Sequence, residues 1–210
     1  MGLNSKNILT IQSILPLIII LSVYSIFIYL YYWFYPSLKD SLVFCQLTIF
    51  PISHDLTILR FAFFDRFFMF HAGKILKMFF ETGLDACLYL SFIYHLCTLI
   101  FVYLIVKNIS GILQALIAVV LTASTPHFTY FSTEYLSDII CLMLGLISIY
   151  FSIISDSSPY KSLCIFLSGL FLAATLTSKI FGICFILPVV IILWNLKSRK
   201  NILFFLGGIL

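Results

Sequence analysis

Three features of this 210-residue chain carry side chains that suit acid–base or anion-binding chemistry: a histidine–aspartate pair followed by an arginine, a pair of acids, and a single lysine. The first is His54-Asp55, with Arg60 five residues after the aspartate. A carboxylate such as Asp55 can take a proton from a hydroxyl group, and an arginine can hold a phosphate through paired N–H donors. A structural role also explains this segment, because an aspartate often caps the start of a helix.

The second group is the acid pair Glu134 and Asp138, which lie four residues apart and therefore share one face of a helix. Two adjacent carboxylates repel each other unless a cation joins them, and a divalent metal ion, a lysine or an arginine would serve. Both acids could instead be solvated at a membrane surface or act as favourable charges at the start of a helix. The sequence leaves these alternatives open.

Lys179 is a single cation between two apolar runs. An anionic ligand would explain its position, and so would a lysine whose long side chain reaches lipid head groups. His95 lies inside an apolar run, and we expect it to donate a hydrogen bond to a neighbouring helix. The sequence has no H-x-x-x-H pair for zinc, no G-x-x-x-x-G-K-[ST] phosphate loop and no G-x-S-x-G nucleophile turn.

Composition shows which elements must position these side chains. Hydrophobic residues make up 62% of the chain and charged residues 10%, whereas a soluble domain has about 25% charged residues. In lipid, only helices and closed barrels satisfy every backbone group, and the long, non-alternating apolar runs favour helices. We therefore predict an all-α, polytopic membrane helix bundle that forms a single transmembrane domain over residues 1–210. The formal net charge of +4 comes mostly from scattered residues and does not indicate a nucleic-acid partner.

The apolar runs predict about six transmembrane helices, a partial seventh and one long outer loop. Loop 36–83 mixes aromatic and charged residues, as is typical of helices that lie in the membrane interface. The third run is short for a crossing, which takes about 17–25 residues. The predicted spans are Leu9–Tyr35, Leu84–Val106, Gly111–Pro126, Tyr135–Ile154, Ser162–Thr177 and Ile180–Leu196, and the partial one is Asn201–Leu210.

Basic residues in the short loops predict the orientation of the bundle. With a cytoplasmic N-terminus, Lys179 is the only basic residue in a short outer turn, and loop 36–83 lies outside. This topology predicts a multi-pass protein of the plasma (inner) membrane if the source is bacterial. We also expect the last apolar run to continue beyond Leu210 as a complete span. The inner basic residues are Lys6, Lys107, Lys161, Lys197, Arg199 and Lys200.

The order of these features resembles a known superfamily. His54–Ala62 is similar to a loop segment in which an acid precedes an arginine and an aromatic residue, and Ala115–Pro126 looks like an apolar third helix that ends in small residues and proline. Glu134–Asp138 lies where an aspartate heads the fourth helix, and Ser168–Lys179 is close to a fifth helix that ends in lysine. Together these segments resemble the GT-C membrane glycosyltransferases, which include protein O-mannosyltransferases and the lipid A aminoarabinose transferase.

The resemblance implies transfer of a sugar from a polyprenyl-phosphate carrier to a lipid, glycan or protein acceptor at the outer membrane face. It implies Asp55 as the catalytic base. We expect Lys179 and Arg60 to bind the donor phosphate, with Glu134 and Asp138 as supporting acids and a divalent metal ion as a possible cofactor. Membrane lipids surround the bundle, so the carrier chain can reach the site through the bilayer.

The alternative is a non-catalytic membrane protein, such as a transporter half or an assembly partner. A transporter should place ionisable groups near the midplane of interrupted spans. In this chain they gather at the outer surface instead, which favours chemistry on a lipid-borne substrate. Convergence of Asp55, Asp138 and Lys179 in the folded chain would discriminate between the two classes.

Overall fold

The computed structural model describes residues 11–31, 75, 78–80, 83–130, 136–194 and 199–209. Regular structure in these ranges is entirely helical, which confirms the predicted all-α class. Almost all of loop 36–83, with its predicted interfacial helices, lies outside the described residues. The helices are α1 (Ile11–Tyr31), α2 (Gly83–Ser110), α3 (Ile112–Ala123), α4 (Pro126–Tyr130), α5 (Ser137–Ile154), α6 (Lys161–Ser178), a 3-10 helix (Ile180–Phe185), α7 (Ile186–Trp194) and α8 (Arg199–Ile209).

Three of the described helices are long and apolar enough to cross a membrane: Asp85–Ser110, Ser137–Ile154 and Lys161–Ser178. An 18-residue helix such as α5 rises about 27 Å, close to the roughly 30 Å thickness of the hydrocarbon core. Three shorter apolar helices complete the set of six predicted spans: Ile14–Leu30, Ile112–Ala123 and Phe181–Trp194. Together, these three long and three shorter apolar helices are consistent with a helical membrane bundle.

Two of the predicted spans are interrupted, and prolines explain where. The third span ends at Ala123 rather than Pro126, and Pro126 instead begins the short helix α4, because proline suits the first position of a helix. The sixth span begins as a 3-10 helix and becomes regular only from Ile186. Pro188 has no N–H to donate to the carbonyl of Cys184, so this turn lacks one α-helical hydrogen bond, and the regular helix begins only two residues before the proline.

Helices α2, α5 and α6 form the centre of the bundle. Buried residues of α2, among them Leu90 and Tyr94, pack against Ile140 and Leu144 of α5. The ring of Phe101 near the end of α2 contacts Tyr150 near the end of α5, so the two helices run in the same direction. Helix α6 returns antiparallel to α5 after the 155–160 turn.

A cluster of buried hydroxyl groups, the serine cluster Ser148, Ser152 and Ser168, joins α5 to α6. Ser148 Oγ donates to the carbonyl oxygen of Ser168 at 2.8 Å, and the hydroxyls of Ser152 and Ser168 lie 2.7 Å apart. All three side chains are buried. Hydrogen bonds of this kind hold membrane helices together where lipid offers no hydrophobic driving force.

Close backbone approach joins α6 to α8. A Cβ added at Gly169 would overlap the carbonyl oxygen of Phe205, and one added at Gly208 would overlap the carbonyl oxygen of Phe166. Neighbouring Gly207 has open space around it. Small residues at such a contact allow two membrane helices to pack backbone against backbone.

Each end of the bundle carries its own set of charged residues. The Asp138 end holds the start of α5 and the last residues of α6, with Asp138 and Lys179. The Lys161 end holds the 155–160 turn, with Asp156 and Lys161, and the end of α2 with Lys107. Helix α1 finishes towards the Asp138 end, where Tyr24 contacts the ring of Phe128 in α4.

Candidate functional site

An ion pair marks the Asp138 end of the bundle. The Lys179 ammonium group donates to Oδ1 of Asp138, although the two residues lie 41 positions apart in the chain. They meet because α5 begins where the antiparallel α6 ends. The Lys179 side chain is 25% exposed and that of Asp138 is 62% exposed. Lys179 Nζ also lies 5.5 Å from the centroid of the Phe181 ring, a distance at which a cation and an aromatic face attract.

The local chain conformation places Lys179 at this position. Its backbone is extended, with φ −164° and ψ 144°, and this residue separates α6 from the 3-10 helix. The Lys179 carbonyl then accepts a 2.8 Å hydrogen bond from the Gly182 N–H. The helix therefore ends before Lys179, in the gap between the predicted spans Ser162–Thr177 and Ile180–Leu196. Asp138 lies in the first turn of α5, where a negative charge is favourable.

The cation beside Asp138 is a lysine, one of the three partners that the sequence left open. Glu134, the other member of the predicted acid pair, lies outside the described residues. Within the part of the chain that the structure describes, no group of three or more His, Cys, Asp and Glu side chains could hold a metal ion. A divalent ion shared by Glu134 and Asp138 stays a prediction.

Asp138 also borders a cavity of about 460 Å³ between α2, α4 and α5. Most of its lining surface is apolar, and it is here called the polar cavity only because His95, His127 and Asp138 contribute to its wall. Its volume falls within the roughly 300–1,000 Å³ typical of small-molecule sites. A few polar groups stand among apolar and aromatic ones, which is the usual composition of such sites. The lining residues are His95, Thr125, His127, Phe128, Leu136, Asp138, Ile139 and Leu142.

His95 lines this cavity and is 1% exposed. Its Nδ1 lies 2.9 Å from the carbonyl oxygen of Ser91, one turn earlier in α2. The expectation that His95 donates to a neighbouring helix is therefore wrong, because the hydrogen bond of its ring stays within its own helix. The neighbouring helix α4 instead offers Phe128, whose ring meets His95 edge to face with 4.8 Å between centroids.

A second cavity of about 580 Å³, the apolar groove, lies between α1, α3 and α4. Its walls are mainly aliphatic and aromatic, including Ile20, Val23, Phe27 and Val120. Helix α4 separates it from the polar cavity, since Pro126 and Thr129 face the groove whereas His127 and Phe128 face the polar cavity.

The structure brings together two of the predicted site residues, Asp138 and Lys179. Asp55 and Arg60, with the neighbouring His54, lie outside the described residues. Asp138 and Lys179 therefore meet, and the convergence of Asp55 with them stays a prediction. Sequence reasoning missed the polar cavity as a unit, although one signal was present: a histidine within an apolar span is costly and often functional.

The sequence matches the family model of dolichyl-phosphate-mannose-protein mannosyltransferases over residues 67–210. The chain belongs to this family. The matched segment contains Asp138, Lys179 and the whole polar cavity, and it begins after Asp55 and Arg60. No curated protein and no solved structure matches the chain. Family membership and the apolar helices together identify an integral membrane protein of the GT-C glycosyltransferase type.

Proposed function

We propose that this chain transfers a sugar from a polyprenyl-phosphate carrier to a hydroxyl group of a lipid, glycan or protein at the outer membrane face. The observation that carries the proposal is the Asp138–Lys179 ion pair at the edge of the polar cavity. It lies in the segment that matches a family whose description specifies dolichyl-phosphate-mannose as the donor. A cation beside a cavity at the end of a membrane bundle suits a substrate with a lipid chain, a phosphate and a sugar.

Lys179 is the group that we expect to bind the donor phosphate. Its pairing with Asp138 does not prevent this role, because partly exposed ion pairs contribute only about 0–1 kcal/mol. Hydrogen bonds to charged groups such as phosphate contribute roughly 1.5–3 kcal/mol. A phosphate can therefore join or displace the Asp138 carboxylate. Asp138 supports the site by holding the lysine at the cavity edge, and Glu134 is the second supporting acid.

Asp55 is the proposed catalytic base, with Arg60 as a further phosphate ligand. Asp55 takes the proton of the acceptor hydroxyl as its oxygen forms a bond to the anomeric carbon of the sugar. The bond between that carbon and the phosphate oxygen breaks, and its electron pair leaves with the carrier phosphate. Lys179 and Arg60 stabilise the negative charge that develops on this leaving group.

The proposed orientation places the Asp138 end outside and the N-terminus in the cytoplasm. Lys107 and Lys161 both lie at the opposite end of the bundle, as the positive-inside rule requires. Helix α1 runs towards the Asp138 end, so a cytoplasmic start of α1 agrees with this placement. In a bacterial cell, the membrane would be the inner membrane.

Substitution of Asp55 tests the proposal in the full chain reconstituted in lipid nanodiscs. The assay follows radiolabelled mannose from polyprenyl-phosphate-mannose to hydroxyl-bearing peptide, lipid and glycan acceptors. Loss of a general base typically costs about 10²–10⁴-fold in rate, and we expect a loss of that size for Asp55→Asn. Asp65→Asn, another acid of the same loop, is the matched control and should retain activity. Transfer by Asp55→Asn at the native rate would remove Asp55 as the base.

A further inference from the structure

The ring of His95 is held in one orientation, and one of its nitrogens remains available. Because Nδ1 donates to the carbonyl oxygen of Ser91 at 2.9 Å, Nε2 of the neutral ring is a hydrogen-bond acceptor. In the described part of the chain Nε2 has no hydrogen-bond partner, and His95 lines the polar cavity. A buried ring fixed in this way is a pre-organised acceptor.

Of the three other polar residues that line the cavity, Thr125, His127 and Asp138, Thr125 and Asp138 offer acceptors as well. Thr125 uses its hydroxyl proton in a 3.0 Å bond to the carbonyl oxygen of Leu121, which leaves the lone pairs of Oγ1 free to accept. Asp138 presents a carboxylate. Between these groups lie the ring of Phe128 and the aliphatic side chains of Leu136 and Leu142. A ligand that fits this wall carries several donors on an otherwise apolar frame.

A hexose has this chemistry, because its hydroxyl groups donate hydrogen bonds and the C–H faces of its ring pack on aromatic side chains. A phosphate would meet acceptors in the cavity and is therefore better placed outside it, at Lys179. In a polyprenyl-phosphate sugar the sugar is bonded directly to the phosphate. A phosphate at Lys179 thus places the sugar beside Asp138, which borders both the ion pair and the cavity.

We infer that the polar cavity is the subsite for the sugar of the carrier, with His95 Nε2 accepting a hydrogen bond from one sugar hydroxyl. This inference rests on the proposed function and adds the position of the sugar. His95 then discriminates between a carrier that holds a sugar and a bare carrier phosphate. Lys179 contacts the phosphate that both carriers share.

The experiment measures binding of polyprenyl-phosphate-mannose and of bare polyprenyl phosphate to the full chain in nanodiscs. His95→Asn keeps a side-chain donor near the Ser91 carbonyl but removes the acceptor at the Nε2 position. A neutral hydrogen bond contributes about 0.5–1.5 kcal/mol, so we expect about twofold to tenfold weaker binding of the mannose carrier. Binding of the bare carrier should not change. His95→Gln places an amide oxygen near the Nε2 position and should restore part of the affinity.

A second variant tests the cavity without altering His95. Leu142→Phe adds volume to the α5 wall of the polar cavity and should weaken binding of the mannose carrier alone. Equal weakening of both carriers by His95→Asn, or no weakening by either variant, would overturn the sugar subsite and leave the proposed function standing. If the unmodified chain binds neither carrier, the proposed function itself fails.

Discussion

Helices α5 and α6 are joined by a carboxylate–lysine pair at each end, and the two pairs have different origins. At the Lys161 end, Lys161 and Asp156 are five residues apart, with 3.5 Å between Nζ and Oδ1, and they lie around the 155–160 turn. At the Asp138 end, the partners are 41 residues apart and border a cavity. The first pair follows from a short connection, whereas the second requires the antiparallel packing of two complete helices.

This difference shows that two ion pairs of the same chemistry can have different roles, depending on which part of the fold lies beside them. Neither the polar cavity nor the apolar groove borders Asp156–Lys161, and a local pair across a turn is an ordinary surface feature. Lys179 instead stands between a carboxylate, the Phe181 ring and the edge of the polar cavity. Location beside a cavity, not charge alone, makes the Asp138 end the candidate site.

The largest expected difference between the two ends is their accessibility, because a reagent should reach each end from a different side of the membrane. Lys39→Cys, in the loop predicted to lie outside, should react with an impermeant thiol reagent added to intact cells. Ser157→Cys, in the turn at the Lys161 end, and Asn201→Cys should react only after the membrane is opened. The measurement uses a chain whose own cysteines are replaced. Labelling of Lys39→Cys and Ser157→Cys from one side would refute the orientation.

Removal of each lysine should separate the two pairs by their effect on carrier binding. Lys179→Ala deletes the proposed phosphate ligand, and a charge-assisted hydrogen bond contributes roughly 1.5–3 kcal/mol. We therefore expect about tenfold to 100-fold weaker binding of bare polyprenyl phosphate. Lys161→Ala, the matched variant at the other end, should bind the carrier like the unmodified chain. Equal losses in both variants would mean that Lys179 acts only through general charge.

The serine cluster between the two ends should contribute more to stability than either ion pair. Ser168→Ala removes a buried hydroxyl that contacts both Ser148 and Ser152. Hydrogen bonds between membrane helices contribute about 0.6 kcal/mol on average and up to about 1.7, so Ser168→Ala should lower the free energy of unfolding within that range. Ser162→Ala, an exposed position on the same helix, is the control for unfolding in mixed micelles. A loss that is no larger in Ser168→Ala would contradict the role of the cluster.

The smallest expected effects are those of neutralising the two carboxylates. Asp138→Asn and Asp156→Asn each remove one exposed pair, and such pairs contribute at most about 1 kcal/mol. The same unfolding measurement should therefore show losses below that value for both variants. A markedly larger loss for Asp138→Asn would indicate that its pair with Lys179 holds the bundle together rather than serving the site.

The sequence by itself determined the class of the protein and the approximate positions of its spans. An excess of apolar residues with little charge permits only a membrane bundle, and the structure confirms helices at the predicted spans. Lys179 separates two helices, as the predicted spans Ser162–Thr177 and Ile180–Leu196 required, whereas Pro126 begins a short helix instead of ending the third span. Membership of a mannosyltransferase family also agrees with the resemblance, which rested on the order of spans and of charged residues.

Tertiary structure decided which side chains meet. Asp138 had three possible cationic partners from sequence, and the antiparallel packing of α5 and α6 selected Lys179. His95 could have bonded to any helix, yet the carbonyl of Ser91 and the ring of Phe128 occupy its surroundings. The short helix α4 shapes the polar cavity by turning His127 and Phe128 towards it. Local patterns cannot determine such contacts, because residues distant in the chain meet only when several helices pack at once.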